Sequence, residues 1–294
     1  MEFFTSPHNS VKIAFDIFPS TSEKGRILFL TGRAEYYLKY ERFFNLMNEN
    51  GFSVYAMDHR GQGASGRMLE NPQKGYVENF DFFVEDADFF LKNIVLKDIS
   101  GHVPVFSISH SMGGAVSLLL GMKNPGLFQK MVFCSPMWGI NFGKTPEKAV
   151  FFLSTMMCLL GKGKNYAPGK GDYDQKTAFE NNRLTHDPEL FSKQKSFLHE
   201  HPSFVLGGPT NRWVNESLKA IKKIKNNKLQ PGCPVLLLQA GADLVVSNAN
   251  QDIIIKKIEL STRIVIKNSW HELLYEEKTI YSQTVSQILN FLHY

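Results

Sequence analysis

A serine hydroxyl, a carboxylate and a histidine can together carry out acyl transfer. The imidazole takes the hydroxyl proton, the carboxylate fixes the imidazole tautomer, and the serine oxygen attacks a carbonyl carbon. This chain offers such a set in the order Ser111, Asp243, His271. Ser111 lies in Ser107-Ile108-Ser109-His110-Ser111-Met112-Gly113-Gly114, directly after the apolar run Val103-Pro104-Val105-Phe106 and before Ala115-Val116-Ser117-Leu118-Leu119-Leu120. A strand, one sharp turn carrying a serine and then a helix is the context of a nucleophile elbow. The turn is strained and needs small residues two positions to either side, and Ser109 and Gly113 satisfy this. As a bare pattern the string is common in ordinary turns; the strand–helix context gives it weight.

The partners of such a serine belong in loops after later strands. Pro234-Val235-Leu236-Leu237-Leu238-Gln239 reads as a buried parallel strand and runs into Ala240-Gly241-Ala242-Asp243. Arg263-Ile264-Val265-Ile266 reads as the next strand, followed by Lys267-Asn268-Ser269-Trp270-His271. Asp243 could be a turn former or a helix cap, and a histidine beside Trp270 could simply be packed. Yet His186, His199 and His201 lie far from any expected strand end, His293 is penultimate, and Asp252 falls inside an expected helix. Only Asp243 and His271 meet both order and position. A histidine base has an ordinary pKa of about 6.5, so activity should rise with pH between about 6 and 8.

Acyl transfer also needs backbone N–H donors aimed at the developing oxyanion, each worth about 10²–10³ in rate. Met112, at the expected helix start, supplies one. The loop Thr31-Gly32-Arg33-Ala34-Glu35 follows the expected strand Arg26–Leu30, and the Arg33 N–H is the natural second, with Gly32 allowing an unusual backbone path. The residues alone fit an ordinary turn before a helix over 36–50 equally well.

The elements that must position these groups are legible as alternating strands and helices. Val11–Phe18, Arg26–Leu30, Phe52–Met57 and Met131–Cys134 read as strands, and 79–97 reads as a Phe-rich helix. The alternation predicts an α/β fold with a mainly parallel sheet flanked by helices. The rhythm breaks between about Ser135 and Gly232, which predicts an insert. We therefore expect a core of residues 1–136 and 233–294 and a cap over 137–232. Hydrophobic content of 43% and charged content of 21% are globular values. Three cysteines, with no disulfide framework, and an N-terminus without a leader pattern predict a reducing, cytoplasmic setting. No phosphate-cradling glycine motif and no Cys/His metal spacing is present, so no cofactor, metal or nucleic-acid partner is expected, and EDTA should have no effect.

The insert is basic. Residues 137–230 hold 15 Lys+Arg against 8 Asp+Glu, a net of +7 in a chain whose total is +5. The run Lys219-Ala220-Ile221-Lys222-Lys223-Ile224-Lys225 reads as a solvated helix face. A positive insert as a whole would favour an anionic surface or a phosphate-bearing substrate. On that reading Lys219, Lys222, Lys223, Lys225 and Lys228 would face it. Residues 149–160 form an apolar stretch too short to span a bilayer, which needs about 20 residues. It suits a buried helix, or one that lines an acyl pocket or dips into a membrane interface.

Four strings carry a family likeness: Thr31-Gly32-Arg33-Ala34-Glu35-Tyr36, Asp58-His59-Arg60-Gly61-Gln62-Gly63, His110-Ser111-Met112-Gly113-Gly114 and His271-Glu272-Leu273-Leu274-Tyr275-Glu276. Together they resemble α/β-hydrolases of the monoacylglycerol lipase and lysophospholipase group. Gly61–Arg67, Asn182–His186 and Gly207–Val214 are most similar to the inner-membrane-associated lysophospholipases of Gram-negative bacteria. The resemblance implies the α/β-hydrolase fold and ester hydrolysis of a single-chain lipid, with peripheral contact at the anionic inner face of the cytoplasmic membrane. It also implies supporting roles for Asp58, Arg60, Glu35 and His110. Thr31 departs from the His or Pro usual before the loop glycine, and Ser109 from Gly or Ala. A general carboxylesterase or monoacylglycerol lipase is the alternative. A non-catalytic ligand-binding relative is disfavoured by the complete set of three, and an iminopeptidase by the absence of a Gly-Gly-Pro-Gly loop.

Overall fold

Period-two burial on both faces is what turns these apolar runs into central strands. In the strand Gly25–Leu30, Ile27 and Phe29 join one apolar cluster while Leu28 and Leu30 join the other. Val235–Ala240 behaves alike, with Leu236 and Leu238 on one side and Val235 and Leu237 on the opposite side. The computed structural model of the chain describes residues 1–97 and 103–293.

Its strands are β1 (Glu2–Thr5), β2 (Lys12–Phe18), β3 (Gly25–Leu30), β4 (Phe52–Met57), β5 (Val105–His110), β6 (Lys130–Cys134), β7 (Val235–Ala240) and β8 (Ser261–Ile266). They form one eight-stranded sheet in the order β1-β2-β4-β3-β5-β6-β7-β8. β1 and β2 are antiparallel to their neighbours, and β3 to β8 are parallel throughout. The helices are α1 (Glu41–Glu49), α2 (Asp81–Phe90), α3 (Met112–Lys123), α4 (Glu147–Leu159), α5 (Pro188–Glu200), α6 (Asn211–Asn226), α7 (Asn248–Ile255) and α8 (Lys278–His293). Phe43, Phe44, Ile280 and Ile288 of α1 and α8 bury one face of the sheet. Phe83, Leu118, Ile221 and Ile254 of α2, α3, α6 and α7 bury the other.

The sequence reading and the structure differ at three places. The strand before Ser111 runs on to His110, past the apolar run that announces it. Its two serines are tolerated in a buried strand because the Ser107 and Ser117 hydroxyls bond at 2.7 Å and Ser109 Oγ donates to the Val132 carbonyl at 3.3 Å. The expected helix over 36–50 is a 3₁₀ turn, Tyr37–Tyr40, followed by α1. Within the expected insert, α6 shares the apolar cluster of α2 and α3, so its buried stripe also covers the sheet.

Candidate active site

β5 is the central strand, and the chain leaves it through a single residue, Ser111, at φ 50° and ψ −116°. A non-glycine residue held there stores on the order of 1–3 kcal/mol, which the surroundings must hold in place. Ser111 N–H donates to the Cys134 carbonyl at 3.1 Å, and the Ser111 carbonyl accepts from Met137 at 2.8 Å and Gly114 at 2.9 Å. Next, α3 presses its first turn onto β3. A Cβ on Gly113 would lie 2.3 Å from the Leu30 carbonyl oxygen, so only glycine permits this approach.

The three candidate residues meet. Ser111 Oγ lies 2.9 Å from His271 Nε2, and His271 Nδ1 lies 2.7 Å from Asp243 Oδ2. Asp243 follows β7, and its other oxygen accepts the Val245 and Val246 N–H groups at 2.7 and 3.0 Å. Burial alone would raise the Asp243 pKa. His271 and the two backbone donors outweigh it and hold the carboxyl below its ordinary value. The carboxylate is therefore ionised and fixes the proton on His271 Nδ1, which leaves Nε2 free to accept from the Ser111 hydroxyl.

The loop after β3 is braced from three sides. Glu35 accepts the Gly32 N–H, Gln62 Nε2 donates to the Gly32 carbonyl at 2.6 Å, and Gln62 Oε1 accepts the Ala34 N–H at 3.3 Å. The Arg33 peptide is thus clamped at both ends. Neither Arg33 N–H nor Met112 N–H has a protein acceptor among the described residues, as groups reserved for an oxyanion require. The unusual backbone expected at Gly32 falls instead at Ala34, with φ 61°. Gly32 is needed for room, since its Cβ would lie 2.7 Å from Glu35 Oε2 and 3.0 Å from His110 Nδ1.

Beneath Ser111 a buried ionic network joins this loop to the histidine. His110 Nδ1 sits 3.0 Å from Glu35 Oε1, and His110 Nε2–H donates to the His271 carbonyl at 3.1 Å. Lys39 Nζ lies 2.6 Å from Glu272 Oε1 and 3.5 Å from Glu35 Oε1. Burial favours neutral forms here, but mutual attraction wins: Glu35 is lowered, and Lys39 and His110 are raised. Because the folded His110 value is raised, the pair contributes stability fully below pH about 6.5 and loses it as pH rises through the folded value. The melting temperature should therefore fall between pH 6 and 9, and the slope should flatten in His110→Asn. An unchanged slope would place the titration elsewhere.

The sequence reading anticipated Glu35 and His110 as supports and the loop over 58–66 as a brace of the oxyanion loop, which Gln62 supplies, but missed Lys39 and Glu272. The i, i+4 spacing of Glu35 and Lys39 was a usable signal. Asp58 and Arg60 are buried links as expected. Asp58 accepts Tyr37 and Ala64 N–H at 2.7 and 2.8 Å, and Arg60 pairs with Asp86 at 2.7 Å. His186, dismissed by position, stacks on Trp270 at 4.0 Å between centroids and bonds Glu276 at 2.8 Å, so it buttresses the loop that carries His271. His293 packs on Phe52, His201 packs on Phe197, and Asp252 pairs with Arg263.

A cavity of about 910 Å³ opens over Ser111 and His271. Its walls are largely apolar and include Val150, Leu153, Leu206, Trp213, Val214 and Val246. None of Lys219, Lys222, Lys223, Lys225 and Lys228 lines it. Lys219, Lys223 and Lys225 pair instead with Glu216, Asp81 and Glu147 at 2.7, 2.9 and 3.0 Å. Of the two surfaces these five lysines could face, the substrate cavity is ruled out: the amphipathic pattern of α6 buries its apolar stripe and turns Lys219, Lys222, Lys223 and Lys225 outward, as a solvated face requires, and Lys228 follows the helix.

A mainly parallel eight-stranded sheet, with a serine at a strand–helix elbow facing histidine and aspartate, defines the serine hydrolases of the α/β-hydrolase fold. The chain belongs to the family described as "Serine aminopeptidase, S33", matched over residues 21–278, and is an enzyme of that serine-hydrolase class. It is 30% identical over 292 residues to "Lysophospholipase L2" of Escherichia coli K12, covering 97% of this chain and 85% of that one. It is 27% identical over 259 residues to "Monoglyceride lipase" of Rattus norvegicus, covering 85% and 78%. A soluble variant of the Saccharomyces cerevisiae monoglyceride lipase, solved with a substrate analogue, shares the fold with a TM-score of 0.79 at 16% identity, covering 99% of this chain and 94% of that one.

Proposed function

We propose that the enzyme hydrolyses the carboxylic ester of a lysophospholipid and releases the free fatty acid. The observation that carries this reading is the Ser111–His271 pair, 2.9 Å apart, on the wall of a largely apolar cavity of about 910 Å³, a space suited to one acyl chain. Ser111 Oγ attacks the ester carbonyl as His271 Nε2 takes its proton. The Arg33 and Met112 N–H groups hold the oxyanion, and Asp243 stabilises the imidazolium. His271 then protonates the departing glycerol oxygen, leaving an acyl-Ser111. Water attacks this ester, gives its proton to His271, and the acid departs as the proton returns to Ser111. The bacterial relative's name supports the lysophospholipid substrate. The apolar walls and the rat relative favour monoacylglycerol as the second reading. Turnover of lysophosphatidylethanolamine, monoacylglycerol and p-nitrophenyl butyrate should rank in that order by kcat/KM; monoacylglycerol ranking first would replace the first reading with the second.

In this reading residues 137–232 act as a cap over a core of 1–136 and 233–294, with α4 as its lipid-facing part. Val150 and Leu153 line the cavity, while Phe152, Leu159 and Leu160 are 68, 77 and 62% exposed. Lys144, Lys148, Lys162 and Lys164 flank them. Among the described residues no helix is long and apolar enough to cross a membrane. The apolar face and its lysines suit peripheral docking on the anionic inner face of the cytoplasmic membrane, so that a lipid passes from bilayer to cavity along α4. Phe152→Ser with Leu159→Ser should weaken cosedimentation with anionic vesicles about 100-fold or more, on loss of roughly 1.5–3 kcal/mol for each of the two buried side chains. Equal binding by wild type and variant would refute this docking.

A further inference from the structure

The cavity over Ser111 has two acidic residues in its wall, Glu35 and Glu272, and, besides His110 and His271, two basic ones, Arg33 and Lys170. The acids already have partners: Glu35 holds the Gly32 N–H, the Tyr40 hydroxyl and His110, and Glu272 holds Lys39. Arg33 has no carboxylate among the described residues. Its Nη2 donates to the Gly207 carbonyl, and its guanidinium lies over the Trp213 ring, 5.2 Å from the centroid. Its Nε is buried with no acceptor among the described residues. A guanidinium carries five donors, so most of them remain unspent. Burial pushes the Arg33 pKa down to about 10, which still leaves it charged at neutral pH. A cation sunk in an apolar wall without an anion costs stability unless a ligand supplies one.

The reach of this charge from the chemistry is bounded by covalent structure. Six bonds separate an arginine backbone nitrogen from its Cζ. Six bonds also separate the ester carbonyl carbon of a 1-acyl lysophospholipid from its phosphorus. Both spans reach roughly 7 Å when extended, on standard bond lengths. A lipid whose carbonyl oxygen sits at the Arg33 N–H therefore has the reach to place its phosphodiester at the guanidinium of the same residue. The Trp213 ring and the Gly207 carbonyl hold that guanidinium in place, so little side-chain freedom is lost when it binds.

We propose that the Arg33 side chain is the specificity-determining residue for the phosphodiester of the substrate, with the Lys170 ammonium as a second, solvated contact. This rests on the lysophospholipid reading above. It gives head-group recognition to the loop after β3 rather than to the lysines of α6, which face away from the cavity.

The test compares kcat/KM on 1-lauroyl-lysophosphatidylethanolamine and 1-lauroylglycerol below their micellar concentrations, for wild type, Arg33→Met and Lys170→Met. The two substrates differ only in the head group. The ratio of the first to the second should fall about 10- to 100-fold in Arg33→Met, as for a hydrogen bond between charged groups. In Lys170→Met the fall should be a few-fold and vanish at high salt. Equal loss on both substrates would mean that Arg33 merely pins the 205–213 segment to the loop, and the proposal falls. Should Arg33→Met not fold, the wild type decides. Competitive inhibition of p-nitrophenyl butyrate hydrolysis by sn-glycerol 3-phosphate but not by glycerol supports the proposal, and equal effects of the two overturn it. Wild type that cleaves only the glyceride overturns the lysophospholipid reading itself. Wild type that prefers the lysophospholipid, with an unmoved ratio in Arg33→Met, overturns the Arg33 assignment alone.

Discussion

Ser111→Ala is expected to lower kcat for ester hydrolysis roughly 10⁵–10⁶-fold, the scale of losing a triad nucleophile, with little change in thermal stability. Among the described residues the hydroxyl's one side-chain bond is to His271 Nε2 at 2.9 Å, whereas the elbow is held by the Ser111 backbone through Cys134, Gly114 and Met137. Alanine keeps the Cβ and the backbone bonds, so the positive-φ turn survives. Turnover left in the variant would come from the oxyanion donors and the cavity alone. Rates measured beside a melting curve of the same preparation check both halves of this expectation.

Asp243→Asn should cost about 10⁴-fold, as such a replacement does where a wrong tautomer results. The asparagine carbonyl can still accept from Val245 and Val246, which turns its NH₂ towards His271 Nδ1. That nitrogen must then accept, the proton moves to Nε2, and Nε2 can no longer take a proton from Ser111. The fold should persist, because both shape and backbone bonds are kept. Near-full activity in Asp243→Asn would mean that another carboxylate orients the base.

What was legible in the sequence was local. The elbow showed itself because a strand, a turn and a helix stand next to one another with Ser109 and Gly113 small on either side. Asp243 and His271 were legible because each follows a short apolar run that reads as a strand, the fully buried β7 for Asp243 and the partly exposed edge strand β8 for His271. The extent of β5 was hidden because Ser107 and Ser109 look like turn residues until their partners, Ser117 and the Val132 carbonyl, are brought beside them. The ionic network was hidden for a similar reason: Glu35, His110 and Glu272 are far apart in the chain and meet only through the parallel order β3-β5 and the loop beyond β8. Charge counting over residues 137–230 gave the sign of the segment but not its direction. The amphipathicity of α6 turns its lysines to solvent. Arg33, a cavity-wall cation whose Nε is buried and which has no anionic partner among the described residues, comes from the core.

The central claim is that Ser111 is the nucleophile of an ester hydrolase. The most direct measurement is to treat the protein with an alkyl fluorophosphonate, locate the adduct by peptide mass spectrometry, and follow lysophosphatidylethanolamine hydrolysis in the same samples. The account predicts one phosphonyl group on Ser111, loss of activity in proportion to labelling, and far slower labelling in His271→Ala. Full activity in protein fully labelled at Ser111, or inactivation with the label on another residue, would contradict it.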